Sequence, residues 1–110
     1  MAGKNTKQLS DATFKSEVLD STTPVVVDFF AEWCQPCKAM APALDIVAGE
    51  MKDKVKIVAI DVDANPKVTQ EYGIQAMPTL LIFKGGQIVA RKMGAMVQKR
   101  QIEEWINSAI

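Results

Sequence analysis

The chain contains no histidine, only two cysteines and no net charge: thirteen lysines and arginines balance thirteen aspartates and glutamates. Without histidine there is no Cys–His nucleophilic pair, no Ser–His–Asp triad and no imidazole-ligated metal. Any activation of a thiol must come from backbone dipoles, a lysine or a carboxylate. The charge balance argues against nucleic acid or an anionic membrane as partner, although a total of zero leaves room for a local basic patch. No apolar run approaches the length of a membrane span. The opening residues Met1 to Lys7 have no apolar core, so they do not read as a secretory signal, and the expected compartment is a reducing cytoplasm. There is no repeat, low-complexity segment or linker, which predicts one domain over residues 1–110.

What the chain does have is concentrated in one stretch, Val25 to Lys38. Val25-Val26-Val27-Asp28-Phe29-Phe30 is a β-branched and aromatic run suited to a strand buried on both faces. Cys34 and Cys37 follow, and beyond them Met40, Leu44, Val47 and Met51 recur at helical spacing. A strand therefore feeds a helix from about 34 to 51, with both thiols at the junction. Pro42 should kink that helix, its alternative being a helix start.

Around this centre the pattern predicts a weak strand at 4–9 and a first helix capped by Ser10 or Asp11, with Phe14, Val18 and Leu19 buried. Ser21 to Pro24 break the chain before the strand at 25–30, and another strand spans 55–62. Asn65-Pro66 starts a helix of roughly two turns that Gly73 stops. Strands at 79–84 and 87–93 flank a Gly85-Gly86 hairpin turn. A last helix buries Ile102, Trp105, Ile106 and Ala109. The order βαβαβαββα is that of an α/β protein with a mixed sheet covered on both faces.

At the first turn of a helix, Cys34 lies among unpaired backbone N–H groups that favour a thiolate, the attacking species in disulfide exchange. The i, i+3 spacing places Cys37 on the same face, one turn deeper and less exposed. Pro36 suits a first turn, where its missing N–H costs nothing. A zinc site would need at least two further ligands, to be found among weaker donors than histidine or cysteine. A purely structural disulfide closing so small a loop would constrain the unfolded chain little. Redox chemistry is the reading that remains. Asp28, set in an apolar run, should keep its proton to a raised pKa.

In order and spacing these features resemble the thioredoxin family over essentially the whole chain. The resemblance rests on Asp28-Phe29, Ala31-Glu32-Trp33-Cys34-Gln35-Pro36-Cys37-Lys38, Pro42, Asp61-Val62-Asp63, Asn65-Pro66, Tyr72-Gly73-Ile74, Pro78-Thr79 and Gly94. It implies the thioredoxin fold, about five strands flanked by about four helices. It also implies a protein-disulfide reductase with Cys34 as nucleophile, Cys37 as resolving thiol and Asp28 as buried acid–base group. No bound cofactor is implied: reducing equivalents would come from NADPH through a thioredoxin reductase. The other partners would be disulfide-containing proteins, met by a monomer. The resemblance further implies a cis peptide at Met77-Pro78, and a docking surface of Trp33, Gln35, Pro36, Met77, Pro78, Met93 and Gly94, with Lys38 beside it. The two methionines suit a surface that must accept many partners.

Four positions depart from the family pattern. Gln35 replaces the usual glycine between the cysteines, Phe30 a common tryptophan, Ala59 a lysine frequent near the buried acid in bacterial members, and Val97 the capping serine of the last helix. Because the residues between the cysteines tune the reduction potential in related folds, a disulfide-forming oxidase or isomerase is the rival enzyme. A thioredoxin-like binding subunit without turnover is the non-enzymatic alternative, although such a role would require neither thiol.

Overall fold

The structure is a computed structural model that describes residues 3–110; Met1 and Ala2, part of the stretch read above as lacking a signal, lie outside the described residues. One mixed sheet of five strands, in the order β1-β3-β2-β4-β5, runs through it. The strands are β1 (Lys7–Leu9), β2 (Val25–Phe30), β3 (Lys56–Asp61), β4 (Thr79–Lys84) and β5 (Gln87–Met93). β2 is central: it pairs in parallel with β3, Asp28 opposite Ala59, and antiparallel with β4, Asp28 opposite Leu80. All six β2 residues are buried, as its unbroken apolar pattern requires.

The helices are α1 (Gln35–Glu50), α2 (Pro66–Glu71) and α3 (Lys99–Ala109). α1 and α3 cover one face of the sheet, where Met40, Leu44, Val47, Ile102 and Ile106 pack on Val26, Leu80 and Ile82. On the other face Phe14, Val18 and Val68 pack on Val27, Val58 and Leu81. There Phe14, Tyr72 and Phe83 form a triangle with ring centroids 5.4–5.7 Å apart. α1 continues through Pro42, which is exposed, so this proline is not a helix start. Gly85 and Gly86 both have positive φ, the requirement of a tight type I′ hairpin turn.

The first expected helix is the main correction. Residues 11–13 form turns, and only Lys15–Leu19 is helical, as a π-type turn in which the Asp20 N–H donates to the Lys15 carbonyl at 2.9 Å. Three α-helices and one π turn therefore stand where four helices were expected. The reason lies in Asp11, whose carboxylate leaves its own segment and accepts the N–H groups of Lys67 (3.3 Å) and Val68 (2.9 Å) at the start of α2. Asn65, expected to cap α2, accepts the Asp11 N–H instead (2.9 Å) and donates to the Asp61 carbonyl. This exchange closes the loop before the π turn onto the end of β3. Asp11→Ala should destabilise the fold by about 1 kcal/mol, the usual cost of a lost cap, measurable as a lower urea midpoint with an unchanged m-value.

Two smaller differences follow from local bonding. The first strand begins at Lys7 rather than residue 4, because Asn5 and Thr6 are bonded to the Asp45 carboxylate on α1. Trp105 is only half-buried, against the core under α3.

Candidate active site

The strand-to-helix junction is tight. The Cys34 N–H donates to the Ala31 carbonyl (3.1 Å), and the Cys34 carbonyl accepts the N–H of Lys38 (3.2 Å). Cys34 is the N-cap of α1, with extended backbone, and Pro36 occupies the first turn. Its sulfur receives the N–H of Cys37 at 3.2 Å, a first-turn donor with no partner inside the helix. An anionic sulfur at Cys34 is thus met by a directed N–H and by the positive end of the helix dipole.

Cys34 and Cys37 are joined in a disulfide, their Cα atoms 5.3 Å apart. Both are buried in this oxidised state, Cys37 (1% exposed) more deeply than Cys34 (4%), in the order expected. Cys34 Sγ also lies 3.6 Å from the Met77 carbonyl oxygen. The Met77-Pro78 peptide is cis. Its loop is held on one side by Thr79, whose hydroxyl donates to the Ala76 carbonyl (2.6 Å), and on the other by Gly94, whose N–H donates to the Pro78 carbonyl (2.9 Å). Gly94 has φ +94 and open space where a side chain would begin, so the backbone beside the disulfide is left uncovered.

The structure therefore gathers Cys34, Cys37, Met77, Pro78, Met93 and Gly94 into one patch. Met93 pairs with Thr79 across the β4–β5 ladder and is 64% exposed, which makes it a surface residue rather than core filler. Met77 is half-buried against the cluster that contains both cysteines. Gln35, Pro36 and Lys38 are exposed on the first turn of α1. Among the described residues no hydrogen bond or ion pair joins the Lys38 ammonium to the disulfide.

Trp33, 64% exposed, is pinned by its indole N–H to Asp63 Oδ2 at 2.8 Å. Asp63 was not among the predicted site residues. Its only signal was its place in Asp61-Val62-Asp63, and nothing in the pattern tied that turn to Trp33 thirty positions earlier. Asp63→Ala should free the indole, raise KM for a protein disulfide severalfold and leave kcat unchanged, as loss of one exposed hydrogen bond to a charged group implies. Steady-state reduction of insulin checks this.

Asp28 is 2% exposed, and its Oδ1 has no hydrogen-bond partner among the described residues. Burial pushes its carboxyl up to about 7. Strand alternation puts it on the same face of β2 as Val26, the face covered by α1. Its lateral neighbour on β3 is Ala59, so no cation answers it from that strand. Among the described residues there is no cluster of three or more histidine, cysteine, aspartate or glutamate side chains that could hold a metal ion. Among the described residues no helix is long and apolar enough to cross a membrane.

A dithiol pair at a helix N-cap, beside a cis-proline loop and following a strand that carries a buried acid, defines a thiol–disulfide oxidoreductase. Comparison with known proteins makes this specific. Residues 5–108 match the family model described as Thioredoxin. The chain is 45% identical over 102 residues to the thioredoxin of Rickettsia typhi, covering 93% of this chain and 96% of that one. It is 52% identical over 89 residues to thioredoxin 1 of a Nostoc species (81% and 83%), and 45% identical over 104 residues to the thioredoxin of Rhodospirillum rubrum (94% and 99%). The chain belongs to the thioredoxin family. It is a protein-disulfide reductase that exchanges the Cys34–Cys37 pair with disulfide substrates.

Proposed function

We propose that Cys34 is the attacking thiol, Cys37 the resolving thiol and Asp28 the proton acceptor, the whole chain acting as one domain and as a monomer. The observation that carries this assignment is the asymmetry of the pair: the Cys37 N–H points at Cys34 Sγ, not the reverse, while Cys37 is the deeper residue.

In the reduced protein the Cys34 thiolate attacks one sulfur of a partner's disulfide. That S–S bond breaks, the leaving sulfur takes up a proton, and a mixed disulfide joins the two proteins. Asp28 then accepts the Cys37 proton. A carboxyl titrating near 7 is partly ionised at neutral pH and basic enough to do so. The Cys37 thiolate attacks Cys34 Sγ, the mixed bond breaks, and the partner leaves with both sulfurs reduced. Two electrons have passed, and the protein is left with the disulfide seen here. Cys37 acts at high effective concentration because one helical turn holds it beside Cys34.

The partner's extended segment would lie along Trp33, Met77, Pro78, Met93 and Gly94, with Gln35, Pro36 and Lys38 at its edge. Reducing equivalents would come from NADPH through a thioredoxin reductase, in the cytoplasm. Mixing the protein with NADPH, a bacterial thioredoxin reductase and insulin should give NADPH oxidation that scales with its concentration. Insulin reduction by dithiothreitol-reduced protein without any NADPH consumption would contradict that supply route.

A further inference from the structure

A cavity of about 290 Å³ opens at the pole of the molecule opposite the disulfide. It lies where the parallel strands begin, whereas Cys34 follows the end of β2. Its walls are Asn5 and Lys7 from the first strand and its lead-in, Ser21 and Thr23 from the loop before β2, Lys52 beyond α1, and Lys56 at the start of β3. Ala48, Val55 and Ile57, all buried, supply an apolar floor.

The charge around this space is one-sided. Three ammonium groups line it and no carboxylate does. Lys7 (3.4 Å) and Lys56 (3.5 Å) share the single carboxylate of Glu17, outside the lining. Asp45, the other acid near Asn5, is taken up by the Asn5 N–H (2.8 Å) and the Thr6 hydroxyl (3.0 Å). Lys52 has no ion pair among the described residues. Three positive charges less one negative leave a net charge of two around the cavity. The Ser21 hydroxyl is spent on the Thr23 carbonyl (2.8 Å), whereas the Thr23 hydroxyl makes no hydrogen bond among the described residues and is left to donate.

We infer that this cavity binds a small organic dianion, a phosphomonoester, with its phosphate among Lys7, Lys52, Lys56 and Thr23 and its carbon body on Ala48, Val55 and Ile57. A phosphomonoester carries close to two negative charges at pH 7, matching the net charge of two left by the three lysines and Glu17. Lysine serves phosphate as a point charge without the planar fork that a carboxylate favours. The volume exceeds that of bare phosphate and stands near the lower limit of small-molecule sites, and the apolar floor needs carbon to cover it. Binding here touches neither the disulfide nor the cis-proline loop, so it is independent of disulfide reduction.

The test is an NMR amide-shift titration of the oxidised protein with phenyl phosphate at fixed ionic strength, with phenol as the uncharged control. Saturable shifts are expected at Thr23, Lys52, Val55 and Lys56 and not at Cys34 or Met77. The Lys52→Gln/Lys56→Gln double variant should bind at least tenfold more weakly while reducing insulin as the wild type does, which shows that it is folded. Glu17→Gln, which releases Lys7 and Lys56 from their shared carboxylate, should bind at least twofold more tightly. Shifts that do not saturate, an affinity unchanged in both variants, or phenol binding as tightly as phenyl phosphate would overturn the inference.

Discussion

Cys34→Ser is expected to lower insulin reduction to the rate of dithiothreitol alone, and Cys37→Ser is expected to trap partners as covalent complexes. The two outcomes differ because the sulfurs are not equivalent. Cys34 is the N-cap of α1, its sulfur stabilised by the Cys37 N–H, and it lies 3.6 Å from the Met77 carbonyl oxygen of the cis-proline loop. A hydroxyl there has neither the acidity nor the nucleophilicity to open a disulfide, so no mixed complex forms. Serine at 37 leaves that first attack intact and removes only the second. Complexes sensitive to reductant should therefore accumulate on non-reducing gels with Cys37→Ser and be absent with Cys34→Ser. The reverse pattern would exchange the two roles.

Asp28→Asn should have the next largest effect, with opposite signs on rate and on stability. As general base for Cys37, Asp28 contributes a factor on the order of 10² to the resolving step. The variant should therefore resolve mixed disulfides about 10²-fold more slowly at pH 7, and its rate should no longer rise as pH passes through 7. Stopped-flow tryptophan fluorescence reads this step directly; an unchanged rate and pH profile would remove Asp28 from the mechanism.

Stability moves the other way. The folded-state pKa of about 7 lies above the roughly 3.9 of an unfolded aspartate. The unfolded chain therefore releases its proton first as pH rises. The Asp28 contribution to wild-type stability is fully present below about pH 4, is lost between about pH 4 and pH 7, and is absent above that. A gap of about three pH units corresponds to roughly 4 kcal/mol. Asparagine has no charge to bury, so its stability should lack this decline, and the variant should overtake the wild type in urea at pH 8. Any cost of leaving the amide unpartnered is the same at every pH and does not disguise the difference in slope.

The elements that were legible in the sequence are those whose residues act on their immediate neighbours. Val25–Phe30 could only be a buried strand, and Met40, Leu44 and Val47 could only be a helical stripe facing a core, so the position of both thiols followed. Asp28 was legible for the same reason, a carboxyl inside an apolar run. Features set by contacts distant in sequence were not. Asp11 looks like the cap of its own helix, and nothing local shows that its carboxylate is drawn to the amides of Lys67 and Val68, which shortens that helix to a π turn. The bond from Trp33 to Asp63 is hidden in the same way. The cis peptide at Met77-Pro78 and the groove around it came from the family resemblance, because a lone X-Pro pair does not declare its isomer. The lysines of the remote cavity come from β1, the end of α1 and β3, and even a net charge of zero conceals their convergence.

Gln35 bears on the account as a whole, since it replaces the family's usual glycine between the cysteines and stands exposed on the first turn of α1. The central claim, that this disulfide serves reduction rather than disulfide formation, is tested most directly by equilibrating the protein with glutathione buffers and reading the oxidised fraction from tryptophan fluorescence. The account predicts a reduction potential near the roughly −270 mV typical of thioredoxins, a family value and not one calculated from this structure. A potential near −180 mV, in the range of disulfide isomerases, would contradict it.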